Sequence, residues 1–556
     1  MMLLLGARAL SAQQTRGVVR DSTGGAPIPG VVVIVLDASG NAAARAITDA
    51  AGRFAVQAAL SATRLRLMRI GYRLRDVTIG TERGQLALSM EKIPPVLERV
   101  RVTDSPLCPG SSDRGNAFLL WEQARAGLLA TVVAREQTPA DAKTILYEQS
   151  MSPVDEIIRR QTKKIRSGRT SRPFIASAEP AYFARNGYMV EDPAGRLFYG
   201  PDADVLLHES FATTHCFRLR AADSAHVGQT GLAFSPIPGR DTLVDVSGMI
   251  WMDAGAAQLR SLDFAFTSLE PPAIEARAGG QIEFRTMPNG VSFIERWRLR
   301  LAHMQTINTP RGAEVVSRAP LQVARRDRTD VRVVDLVEVG GIVAEARWPD
   351  GTTWADTLPI VSGVVVQRRT DQGVSGALVT LAGTADTVVT DTAGRFQLAA
   401  IPGRYVINVT DTVLQTFVKQ RATSRRIAVS RTSAELLRIE LPPVSEIVAN
   451  ICRGEPMGIE AVVITGLVST ADASPLSGAR VEGTWRQQTL NGTSVTLVDR
   501  SAETKLDEDG RFVVCGPARN QPLTLRLFKG STPLADTTFT VRPTGSTQRV
   551  LWRVPQ

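Results

Sequence analysis

The chain has 556 residues, of which 43% are hydrophobic, 5% aromatic and 22% charged. This length is too great for one hydrophobic core and predicts three or four domains, and the ordinary hydrophobic content excludes wholesale disorder. The net charge of +10 is diffuse, so it allows weak attraction to anionic surfaces but does not indicate a specific binding site for nucleic acid.

The first twelve residues, MMLLLGARALSA, resemble the end of a secretory signal peptide, because an apolar run is followed by small residues and then by the polar pair Gln13 and Gln14. We expect cleavage after Ala12 and export to the periplasm, the outer-membrane periphery or the extracellular space. The alternative is a disordered N-terminal tail. No later stretch reaches the ~18–20 consecutive apolar residues that cross a bilayer, so no transmembrane segment is expected.

The chain contains four cysteines, Cys108, Cys216, Cys452 and Cys515. An even number in an exported chain predicts two disulfides, and the domain boundaries favour the pairs Cys108–Cys216 and Cys452–Cys515. The competing hypothesis is a metal site that includes His215, but the spacing matches no zinc pattern. Neither a metal nor a cofactor is therefore predicted.

One pattern of strands and turns occurs three times in the chain. The pattern has a Gly in a first strand, a turn ending in a second Gly, and a closing turn of the form Asp-x-x-Gly-Arg-Phe. The three predicted modules span residues 14–103, 359–443 and 445–556. Their marker residues are Gly17, Gly30 and Asp49–Phe54 in the first module, Gly363, Gly376 and Asp391–Phe396 in the second, and Gly466, Gly478 and Asp507–Phe512 in the third.

This recurring pattern resembles the carboxypeptidase regulatory-like, or transthyretin-like, β-sandwich family. The resemblance implies a seven-strand Greek-key sandwich that serves as a stabilising, spacing or binding unit in exported bacterial proteins. It does not imply peptidase activity, because the regulatory domain is not the peptidase and the chain has no His-x-x-Glu motif.

Residues 105–338 differ in character and predict an α+β middle domain. A helix is expected from a cap at Ser112 or Asp113 to about Arg135, with an apolar stripe that faces a core rather than a partner. The stripe consists of Ala117, Leu120, Trp121, Ala124 and Leu128. Alternating residues between Leu243 and Leu301, with a turn at Met287–Gly290, predict antiparallel hairpins that form a curved sheet around the helix.

The run VSGMIWMDAGAAQLRSLDFAF in this domain is similar to strands of the LolA-like half-barrel, the lipoprotein-carrier fold. That resemblance implies a concave apolar face that takes a lipid or an acyl chain. The alternative is a core in which the helix fills the space beneath the sheet. Residues 339–358 are predicted to link this domain to the second module.

Three further groups of residues are candidates for binding. Seven basic residues between Arg159 and Arg172 indicate either a contact for an anionic surface or a solvated strand or loop. Trp348 and Trp354 can contact a sugar ring if they are exposed, or pack against a neighbouring module. The acidic run Asp507–Asp509 is a plain turn rather than a calcium site, because it offers too few ligands.

The sequence thus predicts a mainly β protein with three Greek-key sandwiches and one α+β domain that has a curved antiparallel sheet and a helix. No catalytic motif is present. We expect a non-enzymatic binding or scaffold protein of the envelope or cell exterior, whose partner is an envelope protein, a glycan or a lipid, and not nucleic acid. The alternatives are a lipid carrier, which needs an open apolar cavity, and an enzyme, which needs ionisable groups converging in a cleft.

Overall fold

The computed structural model divides at residue 357 into two compact units. It describes residues 13–58, 63–80, 85–93, 108–109, 115–170, 179–192, 195–253, 258–310, 314–318, 321–324, 327–411, 422–431, 436–455, 460–472, 474–491, 494–545 and 547–555. The predicted signal peptide, residues 1–12, lies outside the described residues, as do Arg172 and the predicted helix caps Ser112 and Asp113.

The first sandwich has seven strands. They are β1 (Gln13–Asp21), β2 (Val32–Leu36), β3 (Ala42–Ile47), β4 (Arg53–Ala58), β5 (Arg64–Met68), β6 (Arg75–Thr78) and β7 (Gln85–Met90). One sheet has the order β4-β1-β7 and the other the order β3-β2-β5-β6. The run of β-branched and aliphatic residues in β2 is buried along its whole length, because one face meets the sandwich core and the other meets the middle domain.

The middle domain follows with five helices and fourteen strands among the described residues. The helices are α1 (Asn116–Gln137), α2 (Pro180–Asn186), α3 (Ala203–Leu207), α4 (Glu209–Thr214) and α5 (Pro271–Glu275). The strands are β8 (Asp141–Met151), β9 (Ile158–Arg169), β10 (Met189–Asp192), β11 (Gly195–Phe198), β12 (His215–Arg220), β13 (Gln229–Pro236), β14 (Val246–Asp253), β15 (Gln258–Phe266), β16 (Gly279–Thr286), β17 (Ser292–Pro310), β18 (Glu314–Arg318), β19 (Leu321–Ala324), β20 (Asp327–Arg347) and β21 (Thr353–Ala355).

The second and third sandwiches form the other unit. Their elements are β22 (Ile360–Gln367), β23 (Ala377–Leu381), β24 (Thr387–Val389), β25 (Arg395–Ala399), β26 (Gly403–Asp411), β27 (Thr423–Val429), β28 (Leu436–Leu441), α6 (Val444–Ile451), β29 (Ala461–Thr470), β30 (Arg480–Asn491), β31 (Ser494–Lys505), β32 (Arg511–Ala518), β33 (Pro522–Lys529), β34 (Thr532–Thr540) and β35 (Thr547–Val554).

All three sandwiches have the same strand order. In each, the fourth, first and seventh strands form one sheet, and the third, second, fifth and sixth strands form the other. The first and seventh strands run parallel in each case, and every other pairing is antiparallel. The prediction of three sandwich modules in a mainly β chain is therefore confirmed.

The structure gives a physical reason for the repeated Gly and Phe. In the second sandwich Gly363 of β22 pairs with Phe396 of β25, and a Cβ on Gly363 would lie 2.7 Å from the phenyl ring. The buried ring therefore lies across the glycine, which no larger residue can replace without moving it. Gly17 with Phe54 and Gly466 with Phe512 repeat this pair in the other sandwiches.

The closing turn delivers that Phe into the core. Asp391 Oδ1 accepts hydrogen bonds from the backbone N–H groups of Ala393 and Arg395, at 2.9 and 2.8 Å, and Gly394 has a φ of +77°. Asp49 and Asp507 make the equivalent bonds in the first and third sandwiches. The repeat is thus a turn that places one aromatic ring over one glycine.

We expect Phe396→Ala to reduce the free energy of unfolding of the second sandwich by about 3–5 kcal/mol, because it leaves a cavity over Gly363. Hydrogen exchange with mass spectrometry on the full chain measures this as faster exchange in β22 and β25. The first sandwich supplies an internal reference, and Val389→Ala, at an exposed position of β24, is the matched control. Unchanged exchange in β22 and β25 would contradict this account of the motif.

The middle domain is built on one antiparallel sheet that runs β12-β13-β14-β15-β16-β17-β20-β8-β9, with β21 paired to β20. The predicted hairpin between β14 and β15 and the turn at Met287–Gly290 between β16 and β17 are both present. Trp297 and Leu299 of β17 face the helix side, as predicted, and Arg298 and Arg300 face the other side and approach Glu338.

Helix α1 differs from the expected amphipathic helix in its second half. The predicted stripe is buried or partly buried, but every residue from Ala126 to Ala134 is buried as well. The reason is that α1 lies between the sheet and the first sandwich: a Cβ on Gly127 would lie 2.5 Å from Ile70 Cδ1 and 3.2 Å from Leu259 Cβ. The first sandwich and the middle domain therefore share one core around this helix.

Helix α1 is also the one described helix with the length and hydropathy of a membrane span, which the sequence prediction did not foresee. Two-thirds of its most apolar segment is buried inside the domain. This composition is typical of a core helix, because the second half of α1 has no solvated face.

Residues 339–347, predicted to begin a linker, form the second half of β20, which lies between β17 and β8 in the sheet. Their pairing partners in β8 precede them by about 190 residues, as with Gly341 and Leu146. A separation of that size leaves no local signal in the sequence, so the predicted boundary at residue 338 falls inside a strand.

Both predicted disulfides are present. Cys108 is bonded to Cys216 at the start of β12, and Cys452 after α6 is bonded to Cys515 in β32. The bonds span 108 and 63 residues of chain. Disulfides of this kind are typical of proteins that mature in an oxidising compartment, as expected of an exported protein.

Replacing Cys452 and Cys515 by serine should lower the stability of the third sandwich by about 2–4 kcal/mol, because the unfolded segment is no longer constrained. Thermal unfolding of the full chain, followed by hydrogen exchange in β29 and β32, measures the loss. Peptide mapping without reductant should recover only the two pairs found here. Four alkylated cysteines in protein from an exporting host would contradict the assignment.

Candidate functional site

One row of side chains crosses the whole sheet on the face that meets helix α1. Directly paired residues of antiparallel strands carry their side chains on the same face, so the row follows from the pairing register. In order from β12 to β9 it consists of Leu219, Leu232, Ile250, Leu262, Ile282, Trp297, Gly341, Leu146 and Lys164. The row is apolar up to its last strand, where it ends in a cation.

The helix packs on one part of this face. Its contacts are with β12, β13, β15 and β17, where Phe217, Leu262 and Leu299 join its side chains in the core. Beyond them, the face formed by β20, β8 and β9 borders a cavity of about 880 Å³. This volume lies within the range of small-molecule binding sites.

The cavity is a cleft with an apolar floor, and we call it the sheet cleft. Its floor consists of Leu146, Trp297, Leu299, Val339 and Val343. Its walls consist of Thr131 and Ala134 from α1, Thr138 directly after α1, and Phe198 and Tyr199. Gly341 lies between Trp297 and Leu146 in the pairing register, and a Cβ there would lie 2.4 Å from Trp297 Nε1. The glycine thus lets the indole ring lie flat across the sheet at this point.

Strand β9 forms one rim of the sheet cleft and is the last strand of the sheet. Lys164 pairs with Leu146 and Arg166 pairs with Thr144, so both cations lie on the cleft side of the strand, about 7 Å apart along it. Both are exposed, and neither forms an ion pair or a hydrogen bond with another residue in the described part of the chain. The predicted basic run is therefore a solvated edge strand, of which these two side chains turn toward the cleft.

The opposite face of the same strands carries a polar network that fixes their register. Glu338 is buried and accepts hydrogen bonds from Gln149 Nε2 at 3.0 Å and from Tyr147 Oη at 3.2 Å. Arg300 Nη2 lies 3.3 Å from its other oxygen, and Gln161 donates to Gln149 at 2.8 Å. A buried carboxylate with several donors holds β17, β20, β8 and β9 in one alignment beneath the cleft.

The two tryptophans proposed as ligand contacts pack inside the domain. Trp348 is 4% exposed and its ring lies 5.1 Å from that of Phe293. Trp354 is partly buried, and the guanidinium of Arg285 lies 4.6 Å above its ring. The condition set for sugar stacking, an exposed aromatic ring, is thus not met by Trp348, which lines the inner end of the sheet cleft instead. The role in ligand contact stays a prediction.

A second polar cluster, which the sequence did not reveal, lies deep in the domain. Asp245 is fully buried, and its carboxylate lies 3.3 Å from His215 Nε2, accepts a hydrogen bond from the Val246 N–H at 2.8 Å, and pairs with Arg240. Burial opposes ionisation of Asp245, but His215, Arg240 and the Val246 N–H together hold its pKa below its ordinary value. Burial also raises the pKa of the neighbouring Tyr188 well above its usual range.

This buried cluster stabilises the fold rather than facing a substrate, because His215 and Asp245 are 1% and 0% exposed. Among the described residues, no group of His, Cys, Asp or Glu side chains has the arrangement of a metal site. His208 caps α4 by accepting a hydrogen bond from the Ser210 N–H.

We expect Asp245→Asn to lower the free energy of unfolding at pH 7 by about 3–5 kcal/mol, since it leaves the guanidinium of Arg240 without its buried counter-charge. Because the folded pKa of Asp245 is depressed, its contribution is present above the unfolded value of about 3.9 and is lost as the pH falls through the folded value. The difference in urea unfolding between variant and wild type should therefore begin to shrink as the pH falls below about 4 and disappear below the folded pKa of Asp245. The exposed Asp241→Asn is the control, and equal stability of Asp245→Asn and wild type at pH 7 would contradict the assignment.

Comparison with known proteins gives one family match. Residues 14–88 match the family model of the carboxypeptidase regulatory-like domain, which is a minority of the chain. Curated protein sequences give no significant match.

The matching solved structures include several of low sequence identity. A streptococcal ancillary pilin is 13% identical, with 42% of this chain and 82% of the pilin covered, at a TM-score of 0.15. The Bacillus anthracis TIE protein is 10% identical, and the match covers 75% of this chain and 83% of the TIE protein at a TM-score of 0.16. The shaft pilin SpaA from Lactobacillus rhamnosus GG is 12% identical, and the match covers 36% of this chain and 98% of the pilin at a TM-score of 0.15. TM-scores this low carry no argument about this chain.

The similarity of the middle domain to the LolA-like half-barrel stays a prediction, since no comparison bears on it. The family match agrees with the strands, the Gly17–Phe54 pair and the closing turn described above. The first sandwich thus matches the carboxypeptidase regulatory-like domain, and the second and third sandwiches share its strand order and its closing turn.

Proposed function

We propose that this chain is an exported, non-enzymatic binding protein of the cell envelope, in which the middle domain takes up an apolar ligand and the sandwiches act as spacers or mounts. The observation that carries the proposal is the sheet cleft, with its apolar floor and its volume of about 880 Å³. An open apolar cavity beneath the sheet is what distinguishes ligand uptake from a purely structural role for this domain.

The burial of the floor residues supports this proposal. Leu299 and Val343 are buried, and Leu146, Trp297 and Val339 are half-buried, although they belong to the same face whose other half is enclosed by α1. When a ligand covers the apolar floor and removes it from water, binding is favoured by about 25 cal/mol for each Å² of apolar area that is buried. An aliphatic chain offers the matching surface without requiring hydrogen-bond partners from the floor.

Two other functions receive less support. Glycan contact depends on exposed tryptophans, and Trp348 and Trp354 pack against Phe293 and Arg285. An enzyme needs ionisable groups that converge where a substrate reaches them, and the cluster around Asp245 is enclosed in the core. The sandwiches remain candidates for docking to an envelope protein.

A cleft-filling variant tests the proposal. Thr144 is half-buried and lines the cleft, and its neighbour Ile145 carries an apolar side chain on the opposite face of β8. We expect Thr144→Trp to weaken binding of N-phenyl-1-naphthylamine, an uncharged dye that fluoresces in apolar surroundings, at least tenfold because the indole ring occupies the ligand's space. Fluorescence titration of the full mature chain measures the change.

Ile145→Trp is the matched control, because it adds the same ring at the adjacent position but away from the cleft. It should leave dye binding within about twofold, and circular dichroism should show both variants to be folded. Absence of dye binding by the wild type, or equal binding by Thr144→Trp and wild type, would overturn the proposal.

A further inference from the structure

We propose that the sheet cleft selects an amphiphile with a single aliphatic chain and an anionic headgroup, whose charge lies between Lys164 and Arg166. This inference rests on the proposed function and identifies the class of ligand for the same site. It is carried by the pairing register of β8 and β9 together with the lack of partners for these two cations.

The register places the charges on the correct side of the sheet. Leu146 lies on the apolar floor, and its direct partner on β9 is Lys164. Thr144 borders the floor next to Val343, and its direct partner is Arg166. An aliphatic chain that lies on the floor and crosses β8 therefore reaches both cations on β9, the next strand of the sheet.

The two cations are available for an external anion. Several surface cations of this domain have a carboxylate nearby, as Arg159 has Asp335 at 2.7 Å and Arg135 has Asp204 at 3.3 Å. Lys164 and Arg166 have no such partner within the described chain, although both lie beside a cleft. Charged side chains on either face of an edge strand discourage it from pairing with the edge strand of another molecule. This general role therefore does not explain why cations lie on the cleft side.

The remaining charges of the cleft leave it positive. Glu148 also lines the cleft, but it is exposed and lies one further residue pair along β8, opposite Thr162. Asp202 is buried and caps α3 by accepting from the Val205 N–H at 3.0 Å. Arg135 is compensated by Asp204. Lys164 and Arg166 are thus two of the four cations that line the cleft from β9, with Lys163 and Arg169, against the single exposed carboxylate of Glu148.

Carboxylates and phosphates are both oxyanions that Lys and Arg bind through charge-assisted hydrogen bonds. Arg166 has the planar, two-pronged geometry suited to two oxygens, and Lys164 adds a point charge about 7 Å along the strand. The chemistry therefore fits a fatty acid or a single-chain phospholipid. An uncharged chain of equal length fills the floor but leaves both cations unpaired.

The test is displacement of N-phenyl-1-naphthylamine from the full mature chain at pH 7.5 by three amphiphiles below their aggregation concentrations: palmitate, 1-palmitoyl lysophosphatidate and hexadecanol. We expect both anions to bind at least tenfold more tightly than the alcohol. We also expect this preference to decrease with added salt, because the rim is exposed to solvent.

Lys164→Gln combined with Arg166→Gln should reduce the preference to within about threefold and leave dye binding unchanged. Arg160→Gln, on the same strand but outside the cleft, is the control and should retain the full preference. Whichever of palmitate and lysophosphatidate binds more tightly identifies the headgroup, and either result supports the inference.

Equal affinity for hexadecanol and the two anions in the wild type would overturn the inference while leaving the proposed function intact. An undiminished preference in the double variant would overturn the assignment to Lys164 and Arg166. If neither the dye nor any of the three amphiphiles binds, the proposed function fails, and this inference fails with it.

Discussion

The enclosure of helix α1 between two sheets is the constraint on which the first unit depends. Its second half has no solvated face, because the first sandwich covers one side and the curved sheet covers the other. Gly127 permits this close approach, since any side chain there would meet Ile70. The first sandwich is therefore part of the core of the middle domain as well as a module in its own right.

The same enclosure determines where the cleft lies. A helix of 22 residues spans about 33 Å and crosses only part of a sheet of nine consecutive strands. Because α1 is held against β12 to β17, the face of β20, β8 and β9 remains beside it as the floor of the cleft. The apolar row that begins inside the core thus continues into a site that a ligand can reach, and it ends at Lys164.

Much of the fold was predictable from sequence because its signals are local. The Asp-x-x-Gly-Arg-Phe turn, the Gly that faces its Phe, and the turn at Met287–Gly290 each lie within a short stretch of chain, and the structure confirms them. The disulfide pairs were also predictable, since four cysteines and the domain order left one favoured arrangement.

The site was not predictable in the same way. Its floor joins β8 to β20 across about 190 residues of chain, and the alternation of a single strand does not identify its partner. For that reason residues 339–347 resembled a linker, and the basic run from Arg159 gave no indication of which side chains share a face with Leu146. Trp348 and Trp354 were noticed for their chemistry, but only the fold reveals that they pack against Phe293 and beneath Arg285.

The central claim is that an aliphatic chain lies on the floor of the sheet cleft with its headgroup at the rim. A crystal structure of the full mature chain with a fatty acid that carries bromine at its chain terminus tests this most directly, because anomalous scattering locates the bromine without bias. The account predicts a bromine peak over the floor near Trp297 and Val343, with the carboxylate near Lys164 and Arg166. A peak elsewhere on the protein, or an empty cleft at saturating ligand, would contradict it.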